Sequence, residues 1–297
     1  DQSLTIEAGT CVKLIVGYMQ INGSLIATGT QENPIIFTSF KDDTQGGDWN
    51  ADEGATTPVN GDWGYFYLTS ATSAPQLEHC YIYYGGGLYI NSPAKGYIRN
   101  CKIYNSNYQG IFIFNHPHDI IDNDIAYSNQ SGLGTHGIYA NEAYEISGNL
   151  FSENNGFAMQ FHYSDVYPLE DNIFTDNLHN AISYYGSSLK GEHLWSADYP
   201  VVVSNLNVAA EAALELAPGS IVKMESSNLN VYGDLKILGT ASEPIYFTSW
   251  KDDSIGGDLN ADGDDSLPAP GDWGYVYYVS DAGMPEVTYA NFRYGRL

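Results

Sequence analysis

The chain has 297 residues, with 11 basic against 36 acidic side chains and a formal charge of −25 at neutral pH. That balance repels nucleic acid and anionic membranes over a Debye length or more, and it disfavours polyuronate polymers unless cations bridge them. No apolar run reaches the roughly 18 residues of a membrane-spanning helix, and three cysteines (Cys11, Cys80, Cys101) do not make a disulfide framework.

With 25 Tyr and 31 Gly, and with Arg99, Arg293 and Arg296 as the only arginines, the surface is expected to be aromatic and amide-rich. That surface suits a secreted or cell-surface protein that touches neutral polymers. The sequence starts without an initiator Met or a secretory leader, so a mature or excised piece is expected.

Residues 1–87 align without a gap to residues 211–297. Leu4, Gly9, Lys13, Leu25, Gly29 and Pro34 recur as Leu214, Gly219, Lys223, Leu235, Gly239 and Pro244. Within this long repeat, residues 41–65 read KDDTQGGDWNADEGATTPVNGDWGY and residues 251–275 read KDDSIGGDLNADGDDSLPAPGDWGY. In the second copy Asp258-x-Asn260-x-Asp262-Gly263 puts side-chain oxygens at alternate positions before a sharp turn, the opening of an EF-hand loop. The first copy keeps Asp48, Asn50 and Asp52 but has Glu53 at the glycine position. Val59 and Ala269 stand where an EF-hand needs its last acid, so a helix-flanked EF-hand is excluded. Further ligands are expected from Asp42, Asp43 and Asp62, or from Asp252, Asp253 and Asp272. Carboxylates packed this densely repel unless a cation neutralises them, and a structural Ca2+ in each loop is the expectation; an acidic surface turn is the alternative. Trp63 and Trp273, at the end of each string, are expected to cover the coil beneath.

A shorter period runs through the middle of the chain, whose central coils are residues 88–210. Leu77-x-x-Cys80-x-Ile82 is followed by Ile98-x-x-Cys101-x-Ile103, Ile120-x-x-Asn123-x-Ile125, Ile146-x-x-Asn149-x-Phe151 and Leu169-x-x-Asn172-x-Phe174, with Val287-x-x-Ala290-x-Phe292 in the second long repeat. A short apolar segment follows each: residues 88–90, 111–113, 138–140, 157–159 and 181–183. Short β-branched and aromatic runs without helical periodicity predict one solenoid coil per repeat, with the Asn residues stacked as an amide ladder. Cys80 and Cys101 fall in the ladder slot, where stacked thiols are expected, a disulfide being the alternative. Cys11 is expected in the core.

These repeats, with stretches such as ISGNLFSENNG and LEDNIFTDN, resemble the right-handed parallel β-helix repeat proteins over essentially the whole chain. The resemblance implies an all-β, right-handed parallel β-helix, a single domain over residues 1–297, with the two homologous acidic loops as insertions. That fold carries lyases, polygalacturonases, epimerases, tailspikes, adhesins and carbohydrate-binding modules attached to bacterial xylanases, so it implies no single function.

On such a solenoid, equivalent positions of successive coils form rows. Leu88, Ile111, Ile138 and Phe157 are expected to point inward. Tyr89, Phe112, Tyr139, Ala158 and Ile182 are expected to face out, followed by Asn91, Phe114, Asn141, Gln160 and Tyr184, with His116, Glu142 and His162 beyond. Tyr83 and Tyr104 form another outward row. Rings flanked by amides suit a neutral sugar, whose apolar face stacks while its hydroxyls pair with amides. The expectation is a non-catalytic module for a neutral plant polysaccharide of xylan type, fused to a glycoside hydrolase. The alternatives are a structural or adhesive surface segment, and a glycan hydrolase or lyase. The hydrolase would rest on Asp122 and Asp171, two coils apart, near Gly134-Thr-His136-Gly. The lyase would rest on Lys95, Arg99 and Lys102. His116-x-His118 is expected to be a turn.

Overall fold

A computed structural model of the chain describes residues 2–70, 72–138, 144–165, 171–279 and 284–296. Among them there is no helix, hence none long and apolar enough to cross a membrane, and neighbouring coils pair through parallel strands. The protein is an all-β parallel solenoid. It divides into two compact units, residues 1–136, 143–158 and 168–177, and residues 137–142, 159–167 and 178–297.

The first unit stacks its strands in three columns. One holds Ser3–Ile6, Ser24–Thr28, Gln76–Glu78, Tyr97–Arg99, Asp119–Ile121 and Ile146–Ser147. The next holds Cys11–Leu14, Ile35–Ser39, Cys80–Tyr83, Lys102–Tyr104, Asp124–Ala126, Leu150–Ser152 and Ile173–Thr175. The third includes Met19–Ile21, Phe66–Leu68, Leu88–Ile90, Ile111–Phe114 and Leu133–His136. Register keeps like over like: Leu77, Ile98, Ile120 and Ile146 form one buried row, and Ile82, Ile103, Ile125 and Phe151 another. Removing these aliphatic rows from water is the main stabilising term.

Several corners of each coil need a left-handed residue. His79, Asn100, Asp122, Gly148 and Asp171 have φ between 47° and 71°, and each precedes a ladder position. Cys101 N–H donates to Asn123 Oδ1 (3.0 Å), Asn123 N–H to Asn149 Oδ1 (3.0 Å) and Asn149 N–H to Asn172 Oδ1 (3.2 Å). Each Asn amide group then donates to a carbonyl of the preceding coil, as Asn149 does to Ile120 O at 2.7 Å. The expected ladder is therefore present, and it caps backbone groups that the corner would strand. A second ladder, absent from the sequence reading, runs parallel to it. Ser128 N–H donates to Asn154 Oδ1 (3.0 Å) and Asn154 N–H to Asn177 Oδ1 (3.1 Å), below the left-handed corners Tyr127, Glu153 and Asp176.

Cys80 and Cys101 are free thiols, both buried, and Cys80 N–H points at Cys101 Sγ at 3.4 Å. Cys11 is only half-buried; Gly46 of the first acidic string lies over it, where an added Cβ would stand 3.0 Å from Cys11 Sγ.

The second unit also arranges its strands in three columns. They are His179–Tyr185, Val201–Ser204, Ile221–Met224, Ile245–Ser249 and Ala290–Phe292; Ser188–Leu189, Leu206–Val208, Leu229–Val231 and Val276–Tyr278; and Glu192–Trp195, Ala213–Leu216, Asp234–Leu238 and Glu286–Thr288. Ile182 pairs with Val201 and Tyr184 with Val203, and all four are buried.

Candidate functional site

The third column of the first unit exposes a continuous aromatic surface. Its central row runs Gln20, Tyr67, Tyr89, Phe112 and Gly134. Tyr67 and Tyr89 lie 5.2 Å apart, centroid to centroid, and Tyr89 lies 5.6 Å from Phe112. Phe114 stacks on His136 at 5.1 Å with planes 18° apart, and approaches Tyr89 at 6.5 Å. The face widens through Tyr65, which stacks on Tyr108 at 5.0 Å with planes 13° apart, and through Tyr18, edge-on to Tyr67 at 5.6 Å. Tyr18 and Tyr108 are exposed and the other rings half-buried. Exposed amides border them: Gln20 donates to Asn22 Oδ1 at 2.8 Å. Burial and the neighbouring phenols push Tyr65 up to about 12, and burial raises Tyr89, so these two phenols stay uncharged at neutral pH.

Tyr89, Phe112 and Phe114 thus share one face, as expected, and Asn91 follows Ile90 at the end of the Leu88–Ile90 strand. The continuation of that row does not hold. The strand that pairs with Ile111–Phe114 is Leu133–His136, so Leu133 rather than Ile138 follows Ile111, and Gly134 rather than Tyr139 follows Phe112. Gly134 is where the row makes room: an added Cβ would stand 3.0 Å from Phe112 Cδ2. Tyr139, Asn141 and Glu142 lie outside the described residues.

Ala158, Ile182 and Tyr184 were expected to face outward and are fully buried. Phe157, expected inward, is half-buried, with Ala158 inside instead. Tyr184 is a core ring, stacked on Trp195 at 5.5 Å. Gln160 is half-buried in the second unit. Tyr83 and Tyr104 do stand side by side on another face, 5.6 Å apart, and burial, aided by Asp124, raises both phenols. Tyr18, Tyr65, Tyr67 and Tyr108 were missed because three of them sit in corners rather than strands; Tyr67 carried a readable signal in the Phe66-Tyr-Leu alternation.

The acidic strings divide their carboxylates into two groups. Asp62 closes the base of the first string: it accepts from Lys41 (2.6 Å), Ser39 (2.7 Å) and Val59 N–H (3.0 Å). Burial opposes ionisation of Asp62, but those bonds hold it below the usual carboxylate range. Asp42 accepts from Thr38 (2.6 Å) and Thr44 (2.5 Å). Asp272 and Asp252 repeat both roles, Asp272 pairing with Lys251 at 3.2 Å. These four are therefore braces of the turn, which corrects the expectation that they complete a ligand set.

The other group converges. One oxygen each from Asp43, Asp48 and Asp52 lies within 4.8 Å of the others, and so it is for Asp253, Asp258 and Asp262. Partial burial, then the charges of Asp48 and Asp52, raise Asp43, and Asp253 is raised in the same way. Trp63 and Trp273 do cover the coil beneath: both are buried and donate to Tyr83 O (2.9 Å) and Arg293 O (2.7 Å).

The catalytic candidates have structural places. Asp122 and Asp171 occupy left-handed corners that Asp tolerates well. Lys95 pairs with Asp119 at 2.7 Å, Arg99 with Glu78 at 3.4 Å, and Lys102 lies over the Tyr81 ring in a different column. His118 is buried and its Nδ1 accepts Gly96 N–H at 3.0 Å.

Columns of parallel strands, amide ladders and left-handed corners define a parallel β-solenoid. Residues 62–191 match the family model described as "Right handed beta helix region". No curated protein and no solved structure matches the chain.

Proposed function

We propose that the first unit binds a neutral polysaccharide without cleaving it. The observation that carries this reading is the run of contacting rings from Tyr18 and Tyr65 through Tyr67 and Tyr89 to Phe112 and Phe114, bordered by Gln20, Asn22 and Asn91. An aromatic surface of this extent offers several sugar rings an apolar contact at once, while amides at its edge take the hydroxyls. A formal charge of −25 favours an uncharged polymer. A xylan-type chain is the substrate class of this reading, met outside the cell or at its surface beside an attached glycoside hydrolase.

Affinity electrophoresis against soluble xylan, other neutral glycans and polygalacturonate tests it, with reducing ends assayed alongside. Neutral polymer should retard the protein with little dependence on salt, and no new ends should form. Tyr67→Ala with Tyr89→Ala should weaken binding about tenfold or more, each ring contributing on the order of 1 kcal/mol. The double variant must keep the parent circular dichroism spectrum. Unchanged retardation would mean the rings only stack on one another and stiffen the sheet. Tight low-salt binding of polygalacturonate would also sink the reading.

A further inference from the structure

The two acidic strings contain oxygens that the protein itself leaves unsatisfied. Oδ1 of Asp43 and of Asn50 in the first string, and Oδ1 of Asp253, Asn260 and Asp262 in the second, are closed to solvent and have no hydrogen-bond partner. Acceptors buried in this way are costly, and two or three around one point, beside a third carboxylate, are costlier still. The charges of Lys13 and Lys223 oppose the rise at Asp43 and Asp253 without cancelling it, and both ammonium groups are held by backbone carbonyls: Lys13 Nζ donates to Asp42 O at 2.7 Å and to Gly47 O, and Lys223 Nζ donates to Gly257 O. Among the described residues neither lysine forms an ion pair with the cluster.

We propose that each string binds one divalent cation, Ca2+, through Asp43, Asp48, Asn50 and Asp52 in the first unit and through Asp253, Asp258, Asn260 and Asp262 in the second. The donors are all oxygen, which favours a hard cation over zinc or copper. The ligands hang on an irregular loop, which suits the variable coordination of Ca2+ better than the strict octahedron of Mg2+.

The two sites are not equal. The second has Gly263 at its sharp turn (φ 62°), where the first forces Glu53 to φ 56°. In the first, Asp52 Oδ1 is occupied by Gly54 and Ala55 N–H at 2.9 and 3.0 Å, whereas Asp262 Oδ1 is free. The second string is therefore the tighter site.

Calorimetric titration of the whole chain with CaCl2 at physiological ionic strength tests this, using Asp43→Asn and Asp253→Asn. Asp43 and Asp253 lie outside the turn motif, so the exchange removes charge while leaving the turn's own bonds. The parent should bind two ions with unequal affinity. Asp253→Asn should weaken the tighter one about tenfold or more, and Asp43→Asn the weaker one similarly, since ligand charge sets affinity. Terbium luminescence sensitised by Trp49, between Asp48 and Asn50, and by Trp250, three residues before Asp253, should report both sites. Asp43→Asn and Asp253→Asn should each remove one part of the signal, and the double variant all of it. Absence of saturable binding, binding abolished by moderate salt, equal affinity for Mg2+, or two unaltered sites in the double variant would each overturn the proposal.

Discussion

Replacing Asn149 by Ala should remove a keystone of the first ladder. Asn149 is fully buried; its amide donates to Ile120 O (2.7 Å), Asn172 Oδ1 (2.9 Å) and Ser147 O (3.0 Å). Its Oδ1 accepts Asn123 N–H (3.0 Å) and Asn123 Nδ2 (2.9 Å). Alanine leaves the Asn123 N–H buried with no acceptor, which costs about 1–3 kcal/mol, and forfeits the remaining bonds at roughly 0.5–1.5 kcal/mol each. Asn123 Nδ2 keeps Ile98 O (2.9 Å) and Asn172 Oδ1 keeps Asn149 N–H (3.2 Å), so part of the network survives. The expected loss is about 4 kcal/mol, or a fall in Tm on the order of 10 °C for a chain of this size. Asn149→Cys is the internal control. A thiol already fills this slot at Cys80 and Cys101, and Cys101 Sγ faces the Cys80 amide at 3.4 Å. It should retain a substantial part of the stability. Urea unfolding followed by near-UV circular dichroism measures both variants. A loss below about 1 kcal/mol for Asn149→Ala would refute the view that the ladder supports the corner.

Two further outcomes follow from buried groups. Burial, with His116 and Lys95 nearby against the opposing Asp119, pushes His118 down to about 4. Above pH ~6.5 the ring is neutral folded or unfolded and adds no pH dependence; between ~6.5 and ~4 only the unfolded chain takes up the proton, so stability should fall by about 3 kcal/mol. The parent should lose Tm over that window, and His118→Gln should flatten the profile; parallel profiles would disprove the assignment. Gly85→Ala would place a Cβ 2.6 Å from Trp63 Cζ2, and Gly295→Ala one 2.8 Å from Trp273 Cζ2. Each should destabilise by about 1–3 kcal/mol through overpacking, read as a shifted Trp emission and a lower Tm.

The column architecture, the Asn ladder and the stacked thiols were legible because the Leu/Ile-x-x-Asn-x-Ile pattern fixes both the inward rows and the slot between them. Row assignments on the third column were less legible. Coil length varies between ladder positions, and nothing in the spacing tells where the extra residues go. From Asn123 to Asn149 they follow the strand Leu133–His136 instead of preceding it. That strand contains Gly134, and glycine weakens a strand signal. Tyr184 was misplaced for another reason: the strand is buried on both faces from Ala181 to Tyr184, so alternation marks no outward row there. The division of labour among the aspartates was not readable either. Asp42 and Asp43 are neighbours in sequence, yet one braces Thr38 and the other faces Asp48 and Asp52.

The base of each acidic string has a consequence for how such a chain can change. Ser39, Lys41 and Asp62 tie the two ends of the excursion together, and Ser249, Lys251 and Asp272 repeat the knot atom for atom. Beyond the knot the copies already differ: exposed Trp49 against buried Leu259, Glu53 against Gly263. The knot therefore works as a socket. A long segment can be exchanged above it without moving a strand below, since closing a longer loop between fixed ends adds little entropy. The make-up of the tip is free to drift in one copy while the strands under both keep their register.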